Sequence, residues 1–184
     1  IAFLSEQGYP GWWAPLLQFS FTLSYVLLAP LMGPLADAYA KAKLMACMNA
    51  LKVVGVAFIF TNFHPMLAFA IVGLAASAYA PAKYGLMTET VPAEQLVKAN
   101  AWLEVSVVMS VILGTVCGGF LVAAKNFEYM LILNQTLIEN LNLSLQTQYA
   151  GPLISLIVIY ITAAVLNFKI PHIDIKYEQQ SMKP

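Results

Sequence analysis

The sequence predicts an all-α membrane protein, a polytopic bundle of about five spanning helices. Three observations carry that expectation. Hydrophobic residues make up 60% of the chain and charged residues only 10%, against about 25% charged in soluble domains. The apolar residues come in long runs of the roughly 18 or more that a spanning helix requires. All the lysines but Lys52 fall between those runs rather than within them. A soluble fold of 184 residues could not cover so much apolar surface with so few charges. Formal net charge is zero, which removes the case for nucleic acid.

Each element follows in order. Ile1 to Leu4 reads as the end of a helix, and Gly8-Tyr9-Pro10-Gly11 as a turn. Trp12 and Trp13 stand where an interfacial aromatic anchor belongs. A first full helix is expected from Trp13 to Ala36, then a short polar loop from Asp37 to Lys43. A second helix spans Leu44 to Phe60 and ends in the turn Asn62-Phe63-His64-Pro65. A third runs from Met66 to Tyr79, with continuation past Pro81 left open. Lys83 to Lys98 is a mixed polar stretch. A fourth helix covers Ala99 to Ala124, a longer polar connection covers 125–148, and a fifth helix covers Pro152 to Phe168. Residues 171–184 form a polar tail, separate from the helical domain at 1–170.

The lysines orient this plan. Successive loops alternate sides, so Lys41, Lys43, Lys83, Lys98, Lys169, Lys176 and Lys183 share one side, and only Lys125 lies on the other. Lys52 sits about two turns into its helix from the lysine-rich side, within reach of snorkelling. Lysine bias in short loops sets topology. The segments 37–43, 81–98 and 169–184 are therefore expected in the cytoplasm, and 125–148 outside. Two glycosylation-type triplets, Asn134-Gln-Thr136 and Asn142-Leu-Ser144, fall in the outward segment, but the pattern is short and arises often by chance.

Polar groups inside apolar runs need a reason. Gln18, Ser20, Thr22, Ser24 and Tyr25 crowd the first full helix. Hydroxyls there can bond back to their own helix carbonyls or serve a path through the bundle. Pro30 lies mid-helix, where it tends to kink the chain. Glu104 lies inside the fourth helix near its cytoplasmic end. It is either a paired surface charge, with Lys52 as a candidate partner, or a functional group. Gly114 and Gly118 share a face of the fourth helix and predict close helix packing. Cys47 and Cys117 lie in apolar runs with no metal-ligand spacing, and read as small packing residues. Neither His64 nor His172 has a nucleophile or carboxylate at useful spacing, so no catalytic constellation and no metal or cofactor site is expected.

The first lysine-rich loop, Gly33-Pro34-Leu35-Ala36-Asp37-Ala38-Tyr39-Ala40-Lys41-Ala42-Lys43, resembles the loop between the second and third helices of the major facilitator superfamily. Ala38 and Ala40 stand where that motif commonly carries a basic residue and a glycine. Ala78-Tyr79-Ala80-Pro81-Ala82-Lys83-Tyr84-Gly85, followed by Leu96-Val97-Lys98-Ala99-Asn100, is similar to the bacterial lysophospholipid transporter family. The resemblance implies helices 2–6 of a 12-helix transporter, with most of the first helix and the second half lying outside this chain. It further implies a lysophospholipid substrate, such as lysophosphatidylethanolamine, moved to the inner leaflet of the bacterial inner membrane. An acyltransferase/acyl-carrier-protein synthetase would then reacylate it, as a partner or a fusion. On that reading Gly33, Asp37, Lys41 and Lys43 form a conformational gate, and Ser24, Tyr25, Lys83 and Glu104 line the substrate path. Two alternatives remain open at this stage: another solute or drug exporter of the superfamily, and a membrane anchor fused to an acyltransferase.

Overall fold

The computed structural model describes residues 8–60, 64–122 and 150–170. The expectations for Ile1 to Leu4, Asn62, Lys125, the Asn134 and Asn142 triplets, His172, Lys176 and Lys183 fall outside them. The described residues form five long helices, with no strand among them: α1 (Trp13–Ala38), α2 (Lys41–Phe60), α3 (Pro65–Thr90), α4 (Leu96–Val122) and α5 (Ala150–Phe168). A short 3-10 turn, Ala93–Gln95, precedes α4. All five are long and apolar enough to cross a membrane.

The helices start and stop differently from the sequence expectation, and the differences lie in the motif segments. The polar loop expected at 37–43 shrinks to Tyr39 and Ala40, because Asp37 closes α1 and Lys41 and Lys43 open α2. Lysine and alanine are good helix formers, and the Lys41 stem gains a packed surface on α3. Likewise Lys83 to Thr90 is helix, not loop. Pro81 removes one backbone bond inside α3, but Ala78 and Ala82 on either side are fully buried, and that packing carries the helix through. Proline is tolerated in this way when neighbouring helices support the backbone. Pro30 and Pro34 are likewise accommodated inside α1.

α3 is the centre of the bundle. It packs along both α1 and α2, and α5 packs on the far side of α2. The buried residues of α3 are small: Ala68, Gly73, Ala75, Ser77, Ala78 and Ala82 among them. Lipid tails are as apolar as leucine, so helices in a membrane associate through close approach and hydrogen bonds rather than by expelling water. Both appear here. A side chain at Gly73 would run into the backbone carbonyl of Phe21 on α1, and one at Gly55 of α2 would stand 2.7 Å from Val72 of α3. Ser20 of α1 donates a 2.7 Å hydrogen bond to the Met66 carbonyl of α3. Thr22 instead bonds back to Gln18 within α1, at 2.9 Å.

The two ends of the bundle are chemically distinct. At the start of α1, Trp13 packs against Tyr9 with the rings tilted and centroids 4.4 Å apart, and its ring lies 5.7 Å from that of His64 at the start of α3. This is the aromatic belt expected of an interface. At the opposite end, Ala36, Leu44, Met45 and Ala82 form a buried cluster that ties α1, α2 and α3 together.

α4 stands apart. None of its residues from Leu96 to Leu121 is buried, and a side chain added at Gly114, Gly118 or Gly119 would meet nothing within 4 Å. The close packing expected at Gly114 and Gly118 is therefore absent among the described residues, since no helix lies against that face. Cys47 and Cys117 are both exposed, so neither packs in the core as its apolar setting suggested.

The contrast between glycines gives a test. Gly73→Ala pushes against a backbone carbonyl that cannot move without shifting α1, and is expected to destabilise the bundle by about 1–3 kcal/mol. Gly33→Ala, with open space around it, removes only helix-interior flexibility and is expected to stabilise by about 0.5–1 kcal/mol. Unfolding of the two variants in the same detergent measures both signs.

Candidate functional site

Charged and hydrogen-bonding residues form three groups, two toward the lysine-rich end and one deeper in the bundle. The first joins α2 to α3. Lys41 donates to the Glu89 carboxylate at 2.5 Å, and both side chains are about 95% buried, with relative exposures of 4% and 5%. Lysine at a helix start and glutamate at a helix end each oppose their own helix dipole. Paired, they neutralise each other. Gly85 makes the pairing reachable: a side chain there would stand 2.6 Å from Cε of Lys41, so the lysine stem lies across bare backbone to reach Glu89 one turn further on.

This changes the expected gate. Of its four residues, only Lys41 is engaged in an ion pair among the described residues, and its partner is Glu89 on α3 rather than Asp37. Asp37 and Lys43 are exposed on their own helices. Gly33 has no neighbour close enough to need a glycine. Glu89 and Gly85 were missed because residues 83–98 read as a polar connection. Treated as helix, Gly85 and Glu89 lie at i and i+4 on one face, and that spacing was the signal.

The second group joins α3 to α4. The Tyr84 hydroxyl donates to Glu104 at 2.6 Å, and the Lys83 ammonium lies 4.8 Å from the centre of the Tyr84 ring. Tyr25 on α1 stacks its ring on Phe21 of the same helix, with centroids 6.5 Å apart. Two of the four residues expected along the path, Lys83 and Glu104, thus meet at Tyr84. Ser24 is half-buried beside Tyr25 on α1. Tyr84, which sequence reasoning quoted only within a motif, is the hub. The partner of Glu104 is Tyr84, not Lys52.

The third group holds Lys52. Because α2 begins at Lys41 rather than Leu44, Lys52 lies about three turns deep, near mid-membrane. Its ammonium sits 4.3 Å from the Tyr79 ring of α3 and 5.5 Å from the Tyr160 ring of α5, with the Asn49 side-chain oxygen at 3.4 Å. Tyrosine faces attract a cation more strongly when water is scarce. This cage, rather than snorkelling to the surface, accommodates the charge. Beyond it, toward the aromatic end, an apolar cavity of about 400 Å³ is walled by Phe21, Val56, Phe69, Val72, Leu156 and Tyr160 among others.

Chemically, the Tyr84 group offers a carboxylate, an ammonium and aromatic faces within one exposed cluster. That set can hold a zwitterion: the carboxylate and rings suit a cationic group, and the lysine suits an anionic one. A family model described as Major Facilitator Superfamily matches residues 9–170. The protein named lysophospholipid transporter LplT of Yersinia enterocolitica serotype O:8 / biotype 1B is 44% identical over 121 residues, 66% of this chain and 30% of that protein. Proteins of the same name from Yersinia pestis (strain Pestoides F) and Yersinia pseudotuberculosis serotype O:3 (strain YPIII) are each 43% identical over 121 residues, with the same shares. The alignment therefore spans about 30% of the length of these curated relatives. No solved structure matches.

The buried ion pair sets up a double-mutant test. Glu89→Met strands a buried ammonium and is expected to lower stability by about 3–5 kcal/mol. Replacing both partners, Lys41→Met with Glu89→Met, leaves no uncompensated charge and is expected to recover most of that loss. Thermal unfolding of the two single variants and the double variant measures the coupling.

Proposed function

This chain belongs to the Major Facilitator Superfamily, and from that premise we propose that its protein carries lysophospholipids, such as lysophosphatidylethanolamine, to the inner leaflet of a bacterial inner membrane for reacylation. The observation that carries the reading is the Tyr84 cluster, found in a chain 44% identical to a named lysophospholipid transporter. A lysophosphatidylethanolamine headgroup presents an ammonium and a phosphate a few bonds apart. Glu104 and the Tyr25 and Tyr84 rings accept the ammonium, Lys83 attracts the phosphate, and the single acyl chain stays among apolar side chains. Ser24 lies beside this path on α1.

In the same reading, residues 1–170 belong to the N-terminal half of a 12-helix carrier, and a second half closes the path from the other side. The lysine-rich end faces the cytoplasm, consistent with lysine bias. Lys41 and Glu89 hold α2 to α3 as one body, so that they move together. Asp37 and Lys43, exposed at the same end, are free to meet the opposing half. That division makes Asp37 and Lys43 the parts of the gate that break on opening, and Lys41 the part that does not. Gly33 lies one turn before Asp37 on α1 and keeps that surface low for the approach. The acyltransferase/acyl-carrier-protein synthetase that consumes the product belongs to the proposal as a partner, not to this chain's own chemistry.

The test is movement of labelled lysophosphatidylethanolamine by the intact protein in spheroplasts or proteoliposomes. Glu104→Gln keeps the shape and removes the charge, and is expected to slow transport about tenfold or more, the weight of one charge-assisted hydrogen bond. Asp37→Asn is expected to slow it as well, while leaving binding of the lipid intact. Unchanged transport in Glu104→Gln would remove Glu104 from the path. Movement of dyes without lysolipid would assign the carrier to another substrate.

A further inference from the structure

Tyr84 of α3 holds two opposite charges at once. Its hydroxyl donates to Oε1 of Glu104 on α4 at 2.6 Å, and the Lys83 ammonium lies 4.8 Å from the centre of its ring. Tyr84 and Glu104 are exposed, and Lys83 is half-buried. Both charges touch the same side chain, yet they form no ion pair with each other. Elementary electrostatics predicts the opposite. Opposite charges attract more strongly as water thins out around them, and a lysine carries its charge on a flexible stem that can follow a carboxylate. With nothing between them, the two would close on each other.

The next residue of the same helix supplies the contrast. Gly85 leaves bare backbone, the Lys41 stem lies across it, and the Lys41 ammonium meets Glu89 directly at 2.5 Å. There the two charges neutralise each other and neither is available. At Tyr84 the helix presents a rigid phenol instead. The ring face takes the cation and the hydroxyl takes the anion, so the charges sit at different parts of one side chain. Each keeps spare capacity. A carboxylate offers about four acceptor positions, and the phenol occupies one of them. The donors of the Lys83 ammonium make no hydrogen bond among the described residues.

We propose that Tyr84 is a positioning residue, a spacer that keeps Glu104 and Lys83 from neutralising each other, so that both stay open to the two charges of a zwitterionic headgroup. The ligand in this inference rests on the lysolipid reading of the site, whereas the spacing does not. An ammonium and a phosphate joined by a short linker need a carboxylate and a cation that are close together but unpaired. A headgroup meeting a fused Lys83–Glu104 pair would first have to separate it, and affinity falls by whatever that separation costs. In addition to offering its ring to the headgroup, Tyr84 therefore acts through Glu104 and Lys83, by suppressing the pairing of the site with itself.

The test treats the intact protein in maltoside detergent with a water-soluble carbodiimide, which joins a lysine to a carboxylate where the two touch. Peptide mass spectrometry then measures the Lys83–Glu104 crosslink. The parent is expected to give little of it. Tyr84→Phe removes only the hydroxyl and is expected to raise the crosslink about tenfold, the weight of one charge-assisted hydrogen bond. Tyr84→Leu removes the ring as well and is expected to raise it further. Tyr39→Leu, altering an exposed aromatic at the same end of the bundle, is expected to stay at the parent level. Uptake of labelled lysophosphatidylethanolamine by the same variants in proteoliposomes reads the consequence. KM is expected to rise with the crosslink while the maximal rate falls less, whereas loss of folded protein lowers the maximal rate alone. On a Glu104→Gln background, Tyr84→Leu is expected to add little to KM, since no pair remains to form. A crosslink that rises while KM stays put upholds the spacer and overturns the headgroup reading of the site. The spacer itself fails if the parent forms the crosslink as readily as Tyr84→Leu, or if Tyr39→Leu raises it equally.

Discussion

The bundle depends on how closely α3 can approach its neighbours. Inside a membrane, burying leucine against leucine gains little over leaving it in lipid. What holds helices together is contact that lipid cannot supply: backbone against backbone, and hydrogen bonds between helices. The small face of α3 provides both. Gly73 admits the Phe21 carbonyl, Gly55 admits Val72, and Gly85 admits the Lys41 stem. Ser20 reaches the Met66 carbonyl only because the helices are this close. The Lys41–Glu89 pair depends on Gly85, and the burial of the α1–α2–α3 cluster depends on the alanines of the same helix.

That scaffold then decides what happens to charge. Four ionisable groups face the membrane problem in four ways. Lys41 is buried and paired. Lys52 is caged by rings and an amide oxygen. Glu104 is hydrogen-bonded by a phenol at the bundle surface. Lys43 is left at the headgroup level, where water and lipid phosphates can meet it. Burial falls across that series while availability to a ligand rises. Lys41 is thus the residue least suited to binding and most suited to holding α2 and α3 as one unit.

The spans were legible because apolar runs of membrane length have few alternative explanations. The helix ends were not. Composition marked Lys41, Lys43, Lys83 and Glu89 as loop residues, since charges usually sit outside spans. In the structure all four extend helices, because lysine and glutamate are good helix formers and a glycine on the neighbouring turn gives the Lys41 stem a surface. Glycine was misread in the same way. Gly33 and Gly118 stood in recognised patterns and face open space, while Gly73 and Gly85 carry the closest approaches. Whether a glycine is needed depends on what lies opposite it, and a single sequence does not contain the opposite helix. Pairing was harder still. Lys52 and Glu104 looked like partners by depth alone, but depth does not fix the face, and α4 presents Glu104 to α3 rather than to α2.

The faces left open by the five helices are not equivalent. An apolar surface such as that of α4 from Val105 to Phe120 sits in lipid without penalty, so its exposure says nothing about direction. A carboxylate is different. Glu104 and Tyr84 lie on the outside of the described bundle, and a charged group facing lipid is unfavourable by about 2.5–3.5 kcal/mol even on the gentler scales for mid-membrane. One phenol donor offsets part of that and leaves the carboxylate's remaining acceptor capacity unused. Such a face suits a water-lined space or a second protein surface better than hydrocarbon. On the proposed function, the α3–α4 side, where Lys83, Tyr84 and Glu104 meet, is the side that a polar headgroup would use. By the same reasoning the α2–α5 side, with ring-caged Lys52 and an apolar wall, is the side that can face lipid. Polarity, not shape, distinguishes the two sides of this bundle.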